Sequence, residues 1–183
     1  MQLHEQPDSE LICQIQSGAT PAFDELMRRY KRPLVNFVYR MLGSAEDAHD
    51  VAQEVFVRAY QNLDTYRCET KFSTWLFALA RNAAIDRRRW RKRHPTEPIE
   101  SAPPVAAPVG TAEDVAAREI GREIAAAVGK LPEDQRVAVV LAEYQGMSYA
   151  EIAEVTHCSE KSVESRLYRA KQTLRSRLRH LLE

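Results

Sequence analysis

Ser148-Tyr149-Ala150-Glu151-Ile152-Ala153-Glu154-Val155-Thr156-His157-Cys158-Ser159-Glu160-Lys161-Ser162-Val163-Glu164-Ser165-Arg166-Leu167-Tyr168-Arg169-Ala170-Lys171 is the stretch that decides how the chain folds. Ser148 followed three residues later by Glu151 is the signature of a capping box, so a helix starts there. Ile152, Ala153 and Val155 are its apolar contacts. Residues 156–158 leave room for a short turn, and Ser159 is the N-cap of a second helix. In that helix Val163, Leu167, Ala170 and Leu174 recur at i, i+4, i+7 and i+11, one buried stripe. Lys161, Ser165, Tyr168 and Gln172 fall on the opposite side, with Glu164 and Arg169 at its margins. Two helices joined this tightly are either a plain amphipathic hairpin or a helix-turn-helix whose second helix enters a DNA major groove. Charge favours the second reading. Residues 160–180 hold seven Lys/Arg against Glu160 and Glu164, the electrostatic footprint of phosphate contact.

The whole chain is formally neutral, with 26 basic and 26 acidic residues, which at first argues against a nucleic-acid partner. Placing the charge along the sequence reverses that inference. A second basic segment, residues 81–94, holds Arg81, Arg87, Arg88, Arg89, Arg91, Lys92 and Arg93 against Asp86 alone. Outside the two segments 12 basic residues face 23 acidic ones, so two basic patches sit on an acidic body. At 183 residues and 44% hydrophobic content the chain can build one or two packed cores. No apolar run reaches the length of a membrane span, and the acidic, polar N-terminus has no signal-peptide pattern, so a cytoplasmic protein with no membrane insertion is expected. Cys13, Cys68 and Cys158 are odd in number and widely spaced, which argues against a disulfide framework; no zinc-ligand spacing accompanies His157-Cys158. The six glycines are isolated. With no phosphate-cradling loop and no nucleophile–base set, neither an enzyme nor a cofactor or metal site is expected.

Five of the nine prolines, Pro95, Pro98, Pro103, Pro104 and Pro108, lie between His94 and Thr111. This Pro/Ala-rich stretch predicts a flexible linker that, extended, reaches roughly 55 Å at ~3.1 Å per residue. It divides an all-α chain into two small helical domains, residues 1–94 and 112–183, with the linker at 95–111. The first half predicts a short helix around residues 9–16. Thr20-Pro21 opens another, with Thr20 as N-cap; it carries Phe23, Leu26, Met27, Tyr30, Leu34, Phe37, Val38 and Met41, with Pro33 kinking or dividing it. Ser44 caps the next, buried through Ala48, Val51, Ala52, Val55, Ala59 and Leu63. A further helix begins near Lys71, with Phe72, Leu76, Leu79, Ala80 and Ala83 on its core side. The second half predicts a helix from Thr111 with Ile120, Ile124 and Val128 inward, then one from Leu131-Pro132-Glu133-Asp134 with Val137, Val140, Leu141 and Tyr144 inward. No stretch alternates with period two between turn residues, so no sheet is expected.

Four segments in this order, Phe23-Asp24-Glu25-Leu26 with Tyr30, residues 47–56, Phe72-Ser73-Thr74-Trp75-Leu76 with Ala80-Arg81-Asn82, and Leu131-Pro132-Glu133 through Arg169, closely resemble the extracytoplasmic-function (ECF) sigma factors of bacterial RNA polymerase. Their two helical domains are named region 2 and region 4. The resemblance implies a non-enzymatic factor that binds core polymerase and directs initiation at promoters with −10 and −35 elements. It implies docking on the clamp of the polymerase's largest subunit and the flap of the second largest, and control by an anti-sigma factor.

Residue by residue, the resemblance makes Asp47, Asp50, Gln53, Glu54 and Arg58 the polymerase-docking positions. It places −10 recognition and melting at Arg67, Cys68, Lys71, Trp75, Asn82, Arg87, Arg88 and Arg89. Aromatic faces and polar edges hold flipped bases there, and cations hold phosphates; Trp75 serves either as such a face or in the core. The −35 element falls to Lys161, Glu164, Ser165, Arg166, Tyr168 and Arg169, with Arg166 toward the backbone. Glu164 stands where several relatives have Arg. It can accept from cytosine N4 but not bond guanine acceptors, or else pair with Lys161 or Arg169. A stand-alone regulator with a sensor domain and a similar C-terminal helix-turn-helix is the competing reading; such sensor domains are commonly α/β, and the first half offers no strands. A helical adaptor is the third, opposed by Trp75 and the arginine block.

Overall fold

The computed structural model describes residues 3–67, 69–94 and 112–181. After a 3-10 turn at Leu3–Glu5, α1 (Asp8–Gln16) places Asp8 and Glu10 in its first turn, where the helix dipole favours anions, and buries Leu11 and Ile12. α2 (Thr20–Leu42) begins at Thr20 itself; Ala19 is the N-cap, so the expected Thr20 side-chain cap is not made. Pro33 does not divide the helix, which runs through it unbroken. It removes one backbone donor, but Phe23 and Leu26 before it and Leu34, Phe37, Val38 and Met41 after it are all buried. Packing on both flanks of Pro33 offsets the lost bond. Gly43, at φ 74°, adopts the left-handed conformation that ends α2, its N–H bonding Tyr39 O at 2.8 Å.

In α3 (Ala45–Asn62) the Ser44 hydroxyl accepts from the Asp47 N–H at 3.3 Å. The helix buries the expected stripe together with Phe56. After a 3-10 turn at Leu63–Thr65, α4 (Phe72–Arg93) buries Phe72, Leu76, Ala80 and Ala83 and also Phe77, Ala84 and Ile85. Two of its sides are covered because α2 and α3 pack on one and a helix of the second half on the other.

The second half is α5 (Ala112–Gly129), α6 (Glu133–Val139) continued by a π turn at Val140–Tyr144, α7 (Tyr149–Thr156) and α8 (Glu160–Arg177). Leu131, Val137, Leu141, Ile152, Val155, Val163, Leu167 and Ala170 form its core. Two expected inward residues lie outside instead. Ile120 is exposed on α5, and Tyr144 is exposed with the Arg40 guanidinium 3.8 Å above its ring, so a cation from α2 covers its aromatic face. No strand occurs among the described residues, in line with the all-α expectation. The proposed linker, 95–111, lies outside the described residues. The apolar cores of the two halves merge into one continuous cluster, through contacts of α4 with α7 and of α2 with α5.

Candidate nucleic-acid interface

The helix-turn-helix is built as its caps dictate. Ser148 Oγ accepts from the Glu151 N–H while Glu151 Oε2 accepts from the Ser148 N–H at 2.7 Å, closing the capping box. His157, at φ 52°, turns the chain in the left-handed region, and Ser159 Oγ caps α8 through the Ser162 N–H. Val163, Leu167 and Ala170 are buried as predicted, which leaves Lys161, Glu164, Tyr168, Arg169 and Gln172 exposed on the outer face. Tyr168 is 65% exposed. Its hydroxyl accepts from Gln172 Nε2 at 3.3 Å one turn further along the same face. Ser165 is half-buried. Arg166 turns inward: its Nε lies 3.4 Å from Asp134 Oδ2 and its Nη1 donates to Cys158 Sγ at 3.4 Å. It ties α8 to α6 and to the turn, and Glu164 makes no ion pair with Lys161 or Arg169.

On α4 the structure sorts the basic block into three groups. Arg89, Lys92 and Arg93 are exposed and no acid pairs with them among the described residues; Asn82 and Asp86 are exposed along the same side. Arg87 and Arg91 instead point at α3, each placing Nη1 3.0 Å from one oxygen of Asp47. Arg88 is half-buried, 3.9 Å from Glu133 of α6. Trp75 is partly buried in an aromatic group with Tyr66 and Phe72, ring centroids 5.1 and 5.8 Å away, and the rest of its surface is open to solvent. In the preceding loop Arg67 is exposed, Tyr66 donates to Thr70 O, and Cys68 lies outside the described residues.

Along α3, Asp50, Gln53, Glu54 and Arg58 are exposed, with Glu54 and Arg58 paired, whereas Asp47 is turned toward α4. Beside this row Phe23, Met27 and Val35 of α2 and Phe56, Val57 and Tyr60 of α3 line an apolar groove of about 530 Å³. Among the described residues no group of His, Cys, Asp and Glu is placed to hold a metal ion, and no helix is long and apolar enough to cross a membrane.

Two family models match: sigma-70 region 2 over residues 26–94 and sigma-70 region 4 over residues 121–174. The chain is 35% identical to the ECF RNA polymerase sigma factor SigW of Bacillus subtilis, covering 93% of this chain and 96% of that protein. It is 34% identical to the RNA polymerase sigma-H factor of Pseudomonas aeruginosa, with 98% of each covered. This chain belongs to the ECF sigma factors. Its fold is similar to that of CnrH, solved in complex with the cytosolic domain of CnrY, with a TM-score of 0.74 and 30% identity over 94% of this chain and 97% of that one. It shares its fold also with the sigma factor RpoE of Bartonella quintana, solved with the anti-sigma factor NepR, at a TM-score of 0.70 and 24% identity over 86% and 96% of the two chains. As a sigma factor it brings core RNA polymerase to promoters and starts transcription there, with no catalysis of its own.

The sigma factor is closed in this structure, and that feature was missed in the sequence. Lys71 Nζ, just before α4, sits 2.8 Å from Glu151 Oε1 in the capping box of α7. Lys71 and Ser148 together hold the Glu151 carboxyl at a pKa of about 2, well below its usual range. Arg136 of α6 is buried, donating from Nη1 to Met41 O at the end of α2 at 3.0 Å and from Nη2 to Leu131 O at 2.8 Å. Burial and the neighbouring Arg88 push its pKa down, while Glu133 opposes them. Arg136 sits four residues before Val140 on the apolar stripe, and a charge in that register is the signal that marks it. Arg81 Nε, Arg88 Nη1, Gln135 Oε1 and Arg136 Nε are buried without a hydrogen-bond partner in the protein. α4 and α6 thus carry unmet polar atoms where the halves meet, a cost for keeping the molecule closed.

Proposed function

We propose that this sigma factor reads the −35 element with the outer face of α8, through Lys161, Glu164, Ser165, Tyr168 and Arg169. Residues 112–183 act as region 4 and also meet the polymerase flap; residues 1–94 act as region 2. Along α4, Asn82 and the solvent edge of Trp75 meet the melted −10 strand, and Arg89 with Lys92 and Arg93 holds its phosphates. Arg67 is exposed in the loop before α4 and adds to them, and Lys71 and Arg88 join once the molecule opens. On α3, Asp50, Gln53, Glu54 and Arg58 dock on the polymerase clamp beside the apolar groove. The single observation that carries this reading is the exposure of two separate basic helix faces, on α8 and α4, in a chain of this family.

An anti-sigma factor that holds the closed form is the controlling partner implied by the family; CnrH, the solved relative at 30% identity, was captured with a cytosolic domain of a second protein. The site of action is the cytoplasm, where the polymerase and promoters are.

Run-off transcription with core polymerase over a genomic library tests the reading. Arg169→Ala should weaken use of the upstream element sequence-selectively, by about 1–3 kcal/mol at the contacted position. Lys92→Ala should lower promoter binding evenly across sequences and reduce its salt slope by about 1. Equal, sequence-independent losses from both variants would remove α8 from the reading role.

A further inference from the structure

Asp47 occupies an unusual place for an acidic residue on a helix otherwise suited to docking. Its backbone N–H is capped by Ser44, so it lies in the first turn of α3, where the helix dipole favours an anion. Its side chain is only 16% exposed, and its two oxygens each accept from one guanidinium, Arg87 Nη1 and Arg91 Nη1, both at 3.0 Å. Arg87 and Arg91 are one turn apart on α4 and converge on a single anion from the same side. Two converging guanidiniums around one oxyanion is the arrangement that grips a DNA phosphate.

We propose that Asp47 is a specificity-setting positioning residue for DNA: its carboxylate fills the place that a backbone phosphate would take between Arg87 and Arg91. Two cations of the basic block are thereby withdrawn from non-specific contact. In the closed molecule the α4 cations left for DNA phosphates are then Arg89, Lys92 and Arg93, which share the solvent side with Asn82, so phosphate contact is tied to the face that carries the base-reading groups. Phosphate contacts give affinity without sequence information. Removing two of them from a seven-cation helix raises the share of binding that depends on bases. The inference rests on the proposed role of α4 in holding the melted strand.

The test is salt-dependent binding of the full chain to a fluorescent oligo-dT strand. Asp47→Asn should tighten binding roughly tenfold at low salt and steepen the log–log salt slope by about 1.4, two phosphates at ~0.7 each on single-stranded DNA. Glu46→Gln, which removes the same charge from an exposed neighbour in the same turn, should change affinity less than twofold. Arg87→Gln/Arg91→Gln should leave binding within about twofold of the unaltered chain, and adding Asp47→Asn to that pair should do nothing further. This second arm holds even if Asp47→Asn loosens α4. Equal effects of Asp47→Asn and Glu46→Gln, or a loss of several-fold in the double arginine variant, would overturn the proposal. Loss of binding in Lys92→Ala keeps the α4 reading standing in either case; no loss in Lys92→Ala means that α4 is not a DNA contact at all.

Discussion

Arg136 shows how a single residue can mark an interface inside one chain. A buried guanidinium is costly unless its hydrogen bonds are made, and two of its nitrogens are satisfied by Met41 O and Leu131 O. Met41 O lies in the last turn of α2, where the helix dipole places partial negative charge, so the cation is matched to it. Arg136→Ala should cost about 2–4 kcal/mol in a urea melt, since it strands two carbonyls and removes a charged donor. Arg136→Lys should recover little, because one ammonium cannot span both acceptors as the planar fork does. A loss under about 1 kcal/mol for the alanine variant would mean that the junction gains nothing from this residue.

At the scale of the element, the capping box of α7 does two tasks with one carboxylate. Glu151 caps the helix through Ser148 and pairs with Lys71 from the other half. Its folded pKa, about 2, lies below the usual value of 4.5. The unfolded chain therefore binds the extra proton first, and the stabilisation is fully present above about pH 4.5 and is lost as pH falls toward 2. Glu25, bonded to Arg28 and Arg29 within α2, is depressed to about 2 in the same sense. Thermal melts between pH 5 and pH 2 should show the melting temperature falling, and Glu151→Gln should flatten part of that fall. An unchanged pH profile in Glu151→Gln would show that the pair adds no stability. The helices themselves were legible in the sequence wherever a cap met a stripe, as at Ser44 with Val51 and Val55 or Ser159 with Val163 and Leu167. They were misread where tertiary packing overrode a local signal. Pro33 failed to break α2 because both its flanks are buried, and Ile120 matched the apolar period of α5 but faces outward. On the candidate interface the exposure of Lys161, Tyr168 and Gln172 on α8 was legible from period alone, whereas Ser165 on the same face is half-buried. The partition of the basic block was not legible, because which arginine meets Asp47 or Glu133 depends on neighbours forty residues away in sequence.

The whole molecule poses a problem of reach. Promoter elements named −10 and −35 are about 25 base pairs apart, roughly 85 Å along the duplex at ~3.4 Å per pair. A compact chain of 183 residues has a radius of gyration of only about 16 Å. With α4 at the −10 element and α8 at the −35 element, as proposed, the closed form, with α7 packed on α4 and Lys71 engaged by Glu151, would not serve both at once, and initiation would require the halves to separate. Lys71 is largely exposed, and Arg88 and Glu133 are 3.9 Å apart, at the limit of ion-pair distance, so each pair adds little; apolar contact holds the form closed and salt alone should not open it. Zero-length carbodiimide coupling tests this, because Lys71 and Glu151 lie close enough to be joined as an amide with loss of water. The free chain should give the Lys71–Glu151 cross-linked peptide in high yield by mass spectrometry, and prior binding of core polymerase should suppress it. The purified cross-linked chain should produce no promoter-specific transcript, whereas Lys71→Arg treated in the same way, which keeps the charge but does not couple, should remain active. Full activity of the cross-linked chain would show that the α4–α7 contact persists in the working complex. The two basic faces would then have to find their DNA from a single closed body.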